Sequence, residues 1–262
     1  MIARRRSPLL VGLAGLVILA ALAGAAGLAY LFLRGAPPAA VGLATGSPAA
    51  SAPEHTGGTV PIATGPLATG SAATLGPGGP DGTWAVDTTI GSFSDFSSSF
   101  VGYRVNETFA DNRANTAVGR TPAVSGSLVL AGTKITNVEI AADLTRLQSD
   151  DNRRDGRLRD QAIETSTFPQ ATFRLSAPID LGAAPVDGAT ITATATGELT
   201  LHGVTRNVTV PIEARLSGDV VTVTGSITIP FSDYSIQRPT SFLVLSIEDH
   251  GVMELQLHFR RG

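Results

Sequence analysis

Residues 197–212 read GELTLHGVTRNVTVPI. Apolar and polar residues alternate on both sides of a central His202-Gly203, the pattern of two antiparallel strands joined by a tight loop. Two registers keep this parity. A loop of residues 202–205 sets Leu199 opposite Val208, Gly197 opposite Val210 and Glu198 opposite Thr209, whereas a two-residue His-Gly turn sets Leu199 against Arg206. The first pairs apolar with apolar and is the expected register. Gly203 then supplies a positive φ and His202 stands at a solvent-facing corner, a turn residue rather than a catalytic group.

Working outward, the same period-2 alternation recurs through the C-terminal two thirds of the chain, and long helical periodicity is almost absent. Strands are expected over 83–90, 100–109, 123–130, 134–144, 171–177, 190–201, 206–216, 220–229 and 252–260. In 136–144 the residues Val138, Ile140, Ala142 and Leu144 share one face, and in 220–229 Val221, Val223, Gly225, Ile227 and Ile229 do. A sheet with one apolar face must close on itself or pair with a second layer. Too little helix is available to cover so many strands, so an antiparallel barrel or a sandwich follows.

The one expected helix lies in DDNRRDGRLRDQAIE, residues 150–164. Its few apolar residues, Leu158, Ala162 and Ile163, suit a lid on the barrel mouth; a solvated charge run in a long loop is the other reading. Asp143, Asp150, Asp151 and Asp155 form an acidic group, but Arg153, Arg154, Arg157 and Arg159 compete for those carboxylates, and no metal site is expected. His250 and His258 are too far apart along an extended strand to share a metal. No HExxH, GxSxG or phosphate-cradling glycine loop occurs, so no catalytic residue is assigned. The chain has no cysteine, which removes disulfides, thiol nucleophiles and thiolate metal sites.

The N-terminal third has a different character. Residues 9–33 carry no charge, and as a helix rising 1.5 Å per residue they are long enough to cross a hydrocarbon core of about 30 Å. Arg4, Arg5 and Arg6 precede the run and only Arg34 follows it, so residues 1–8 are expected in the cytoplasm and the rest of the chain outside, a single-pass membrane protein. Secretion after cleavage of a signal peptide is the alternative, since Ala21-Leu22-Ala23 is a small-x-small triplet. In residues 35–80, 38 of 46 positions are Ala, Gly, Pro, Ser or Thr and Glu54 is the only charge, a disordered linker that cannot bury a core. Residues 81–262 form the folded domain, with 15 basic against 21 acidic residues. That acidic balance argues against nucleic acid as a partner.

Several blocks then stand in a telling order: GTWAVD (82–87), FVGYRVNET (100–108), RRDGRLRDQAIETSTFPQATFRLSAP (153–178), GELTLHGVTRNVTVPI and FSDYSI (231–236). Together they resemble the YceI-like family of lipid- or polyisoprenoid-binding proteins over essentially all of 81–262. The resemblance implies an all-β fold, an antiparallel lipocalin-like barrel of about eight strands with one short helical segment, whose interior accepts a long isoprenoid or fatty-acyl chain. It implies a binding protein, not an enzyme, with no cofactor beyond such a bound lipid. Two departures stand out: Arg157, and the stretch SFSDFSSSF (92–100), occupy places where many members carry a histidine.

Strand parity directs Tyr103, Val105, Leu128, Leu130, Val138, Ile140, Phe173, Leu175, Leu199, Val208, Val210, Ile227, Ile229, Leu255 and Leu257 toward one interior, and these are the candidate ligand-binding residues. Were the protein an enzyme acting on a lipid, Tyr103, Arg104 and Glu107 or His202 would stand around a head group at the mouth. Trp84 opens the first strand as Gly-x-Trp, either a plain core residue or a ring covered by Arg260 or Arg261. A protein-binding module with a filled core, or less directly a lipid-modifying enzyme, are the competing functions, and a hollow barrel discriminates against the filled core.

Overall fold

A computed structural model of the protein describes residues 37–43 and 79–262. The expected membrane span at 9–33 and most of the expected linker lie outside the described residues. Among the described residues no helix is long and apolar enough to cross a membrane. The chain divides into two units, Met1–Pro38 and Ala39–Gly262, and every strand belongs to the second.

Thirteen strands form one antiparallel sheet. They are β1 (Gly82–Val86), β2 (Phe100–Phe109), β3 (Ala114–Thr121), β4 (Val124–Ala131), β5 (Lys134–Asp143), β6 (Gln148–Ser149), β7 (Gln170–Leu175), β8 (Ile179–Asp180), β9 (Thr190–Leu201), β10 (Val204–Ser217), β11 (Val220–Pro230), β12 (Val244–Ile247) and β13 (His250–Arg261). Eight of them, in the order β1-β4-β5-β7-β9-β10-β11-β13, close into a ring through the β1–β13 pairing. The expected barrel is present, and the nine expected strands correspond to β1, β2, β4, β5, β7, β9, β10, β11 and β13 with ends shifted by a few residues.

The wall forks at β13. Its second half pairs β1, with Val86 opposite Phe259, while its first half pairs β2, with Tyr103 opposite Met253 and Phe100 opposite Gln256. β2 continues into β3 and β6, so one end of the barrel is built by β2, β3 and β12 and the other by β1 and β4. The expected helix is found as α1 (Asn152–Arg157), continued by one π-helical turn, Leu158–Ala162. It follows β6 at the β2–β3 end, where Arg154 reaches Glu107 on β2 at 2.9 Å. Asp151 caps α1 by accepting from the Arg153 amide, as an N-cap carboxylate does.

The register at the opening stretch differs from the expected one. Val204 pairs with Leu201, Arg206 with Leu199 and Val208 with Gly197, so the turn has two residues, His202 and Gly203. Both have positive φ, 51° and 72°, the conformation of a type I′ turn, whose twist matches that of the strands it joins. The Arg206–Leu199 juxtaposition is relieved because Arg206 is exposed at the barrel's rim, where its Nε donates to the Asp233 carbonyl at 2.9 Å.

His202 is also not at a solvent-facing corner. It is buried, with Nδ1 2.9 Å from the Tyr234 carbonyl and Nε2 2.9 Å from a Glu164 carboxylate oxygen. Its ring meets Phe168 edge-on at 4.4 Å. The hairpin tip therefore staples the segment after the π-turn and the 3-10 turn Phe231–Tyr234 onto the β2–β3 end of the barrel. The carbonyl can only accept, so Nδ1 carries a proton.

Candidate functional site

Inside the ring, alternate residues face one another across an apolar cavity of about 140 Å³. Of its 28 lining residues only Thr172 has a polar side chain. Nine of the candidate residues line it: Leu128, Leu130, Val138, Ile140, Phe173, Leu199, Val210, Leu255 and Leu257. They are carried by β4, β5, β7, β9, β10 and β13, so the closure of the ring itself brings them together.

Six candidates do not line the cavity. Val208, Ile227 and Ile229 pack with buried Tyr234 and Leu199 into a second apolar cluster, at the end of the ring that the His202 turn closes. Leu175 is half-buried near the end of β7, and Val105 lies on β2 against Gly251. Tyr103 packs its ring on Gly119, where an added Cβ would come within 2.4 Å of it. Its hydroxyl is buried without a hydrogen-bond partner, and burial, opposed by the nearby Arg154, pushes its ionisation far up, so it stays a neutral phenol.

The candidate residues left out a second set that lines the cavity, and several of these are small. Ala142, Ala171, Ala193, Ala195 and Ala214 line the cavity together with Trp84, Ile191, Ile212, Leu216, Val221 and Phe259. Ala193 and Ala195 on β9 are the hollow's signature: in TITATATG every second residue is Ile, Ala, Ala, Gly, too small to fill the interior of an eight-stranded ring. Leu181 and Pro185, in the loop before β9, line the cavity at the end opposite the His202 turn. Trp84 is a buried core residue whose Nε1 donates to the Pro80 carbonyl at 2.9 Å. Arg261 bonds the Gly79 and Asp81 carbonyls, and Arg260 bonds Asp87 and Asp219.

The charged groups sit elsewhere. Glu254 alternates with the cavity residues Met253 and Leu255 and so points out of the ring, yet it is buried. It accepts from Arg104 Nε at 2.9 Å and from Arg120 Nη2 at 2.6 Å. The Arg120 guanidinium lies 4.4 Å and 4.3 Å from the Phe96 and Phe100 ring centres and donates to the Ala39 carbonyl at 3.0 Å. The SFSDFSSSF stretch thus covers this outer ion pair and does not face the cavity. Further along β2, Glu107 is bound by Arg154 and Asn115. The four acidic residues singled out in the sequence are each engaged separately: Asp143 with Thr145, Asp150 with Arg154, Asp151 at the helix cap and Asp155 with Ser149. Among the described residues no group of three potential ligands could hold a metal.

A continuous apolar hollow in a closed antiparallel ring is the geometry of a container for hydrocarbon. The YceI-like domain matches residues 84–259, nearly the whole of this barrel. The chain belongs to the YceI-like family. Among solved structures, this YceI-like barrel is similar to a polyisoprenoid binding domain from Saccharophagus degradans implicated in plant cell wall breakdown, with 21% identity, 68% of this chain and 98% of that chain covered and a TM-score of 0.54. Two others are BcnA of Burkholderia cenocepacia, at 21% identity over 60% of this chain and 95% of that one with a TM-score of 0.45, and the YCEI protein of Campylobacter jejuni, at 16% identity over 55% and 84% with a TM-score of 0.46. No curated protein matches the sequence significantly.

Proposed function

We propose that this YceI-like protein is a membrane-tethered, extracytoplasmic binding protein for isoprenoid or other long-chain lipids, a carrier or sensor that performs no chemistry on its cargo. The observation that carries the reading is the cavity, whose volume of about 140 Å³ is lined by apolar side chains almost without exception. An apolar cavity of about 150 Å³ stays dry and admits a small hydrocarbon, so this one seats a hydrocarbon segment at no cost in buried polar groups. The polyisoprenoid-binding description of the similar structure supports the same ligand class. The uncharged run at 9–33 supports the tether and the outward orientation.

Lipid extraction and mass spectrometry of the purified full chain test the ligand class, and a bound apolar chain is the expected finding. Displacement of a fluorescent polyene by isoprenoid quinones of increasing length supplies the second readout. Affinity should rise with chain length and then level off as the barrel fills. Absence of any bound lipid together with no displacement at any length leaves the filled structural module as the better account.

A further inference from the structure

Two features of the outer surface, neither of them part of the cavity, bear on how the barrel meets a membrane. The first is a cluster of exposed apolar side chains. Phe242 is fully exposed, and Leu243 and Leu245 are exposed beside it. They lie in residues 239–247, PTSFLVLSI, a stretch with no charge. This stretch ends in β12, which pairs with the far end of β2, Ser246 opposite Thr108. It also touches the helical roof, where the Thr240 amide donates to Gln161 Oε1 at 3.4 Å. Apolar side chains left in water bring no stability to the fold, and contiguous exposed apolar groups mark an interaction surface.

The second feature is where the chain first attaches to the barrel. Ala39 is already bound to Arg120, and Arg120 sits opposite Gly102 on β2. Ala39 lies six positions after Leu33, the end of the uncharged run, and six steps along the chain reach no more than about 22 Å. If 9–33 spans the bilayer, the barrel is therefore on a short leash, attached through the same β2–β3 flank that leads, about 20 Å along β2, to Phe242 and Leu245.

We propose that the barrel rides on the bilayer surface, with Phe242, Leu243 and Leu245 seated in the interfacial layer and the Arg120–Ala39 contact keeping it there. The occupant of the patch is lipid: the leash brings a bilayer within reach, and Phe and Leu side chains flanked by the hydroxyls of Thr240, Ser241 and Ser246, with Arg238 on one side and Glu248 and Asp249 on the other, suit the boundary between zwitterionic head groups and acyl chains. This inference rests on the membrane-tether reading above.

The absence of cysteine makes a site-specific test direct. Phe242→Cys and, as a control at the opposite end of the barrel, Val186→Cys each receive an environment-sensitive fluorophore; both positions are exposed, so neither change disturbs the core. The full chain is reconstituted in phosphatidylcholine vesicles with or without nitroxide-labelled acyl chains. The label at 242 should shift to the blue and be quenched several-fold more than the label at 186. Equal quenching, or stronger quenching at 186, overturns the docking surface. An alkaline wash reads the tether separately: protein that stays with the vesicles while 242 remains unquenched sinks the docking and leaves the anchor, whereas protein that washes off after showing quenching at 242 sinks the anchor and leaves a peripheral contact.

Discussion

Gly203 is held by two independent constraints. Its φ of 72° lies in the left-handed region, and a Cβ there would come within 2.6 Å of the Phe168 ring. Gly203→Ala should therefore cost more than the ~1 kcal/mol of a strained backbone alone. His202→Ala removes the partner of a buried carbonyl and of Glu164, and leaving such groups unpaired costs about 1–3 kcal/mol. Urea unfolding should show both losses; an unchanged midpoint in either variant contradicts the stapled hairpin. Asp87 supplies a second test at this scale. The Thr89 hydroxyl and amide, with Arg260, hold its carboxyl below the usual carboxylate range. A lowered value in the folded state means that its contribution is present above the ordinary carboxylate range and is lost as the pH falls through the folded value. Carboxyl NMR titration should give Asp87 a midpoint below that of an ordinary aspartate. The hairpin was legible in the sequence, but the burial of its histidine was not, because Glu164, Phe168 and Tyr234 reach it from distant segments.

Strand parity, by contrast, could be read directly, since one slip would expose an entire apolar face. Reading the hollow required a different signal. Large apolar residues were taken as the lining, but a cavity exists where side chains are short, and the stripe Ala193, Ala195 on β9 with Ala214 on β10 leaves the space. Ala193→Phe should fill it: ligand binding in the displacement assay should fall at least tenfold while the protein remains folded by circular dichroism, at a strain cost of about 1–3 kcal/mol. Retained affinity would show that the cargo lies elsewhere. Ile140→Asn, in the same cavity, should weaken binding and stability together, since an unpaired amide meets only hydrocarbon there. β3 escaped the sequence reading for a physical reason. Its residues Ala117 to Thr121 are all buried, so both faces are covered and no alternation survives. The cover on its outer side is long-range, Arg120 against Glu254 and the two phenylalanines.

At the scale of the whole molecule, closure of the ring removes the open edges along which its eight strands could pair with another chain. Residues 81–262 expressed alone should give a soluble protein with a strand-dominated circular dichroism spectrum, and a helical spectrum or an insoluble product would contradict the assignment. The fork at β13 has one more consequence. This last strand of the chain pairs with β1, β2 and β11, so three parts of the wall wait for it. β1 can pair with β4 early, but its second neighbour is β13, more than 150 residues further along, and pairing at such a separation is slow. Ring closure therefore waits on β13, and a chain truncated before residue 250 should leave β1, β2 and β11 each with an edge that has lost its partner.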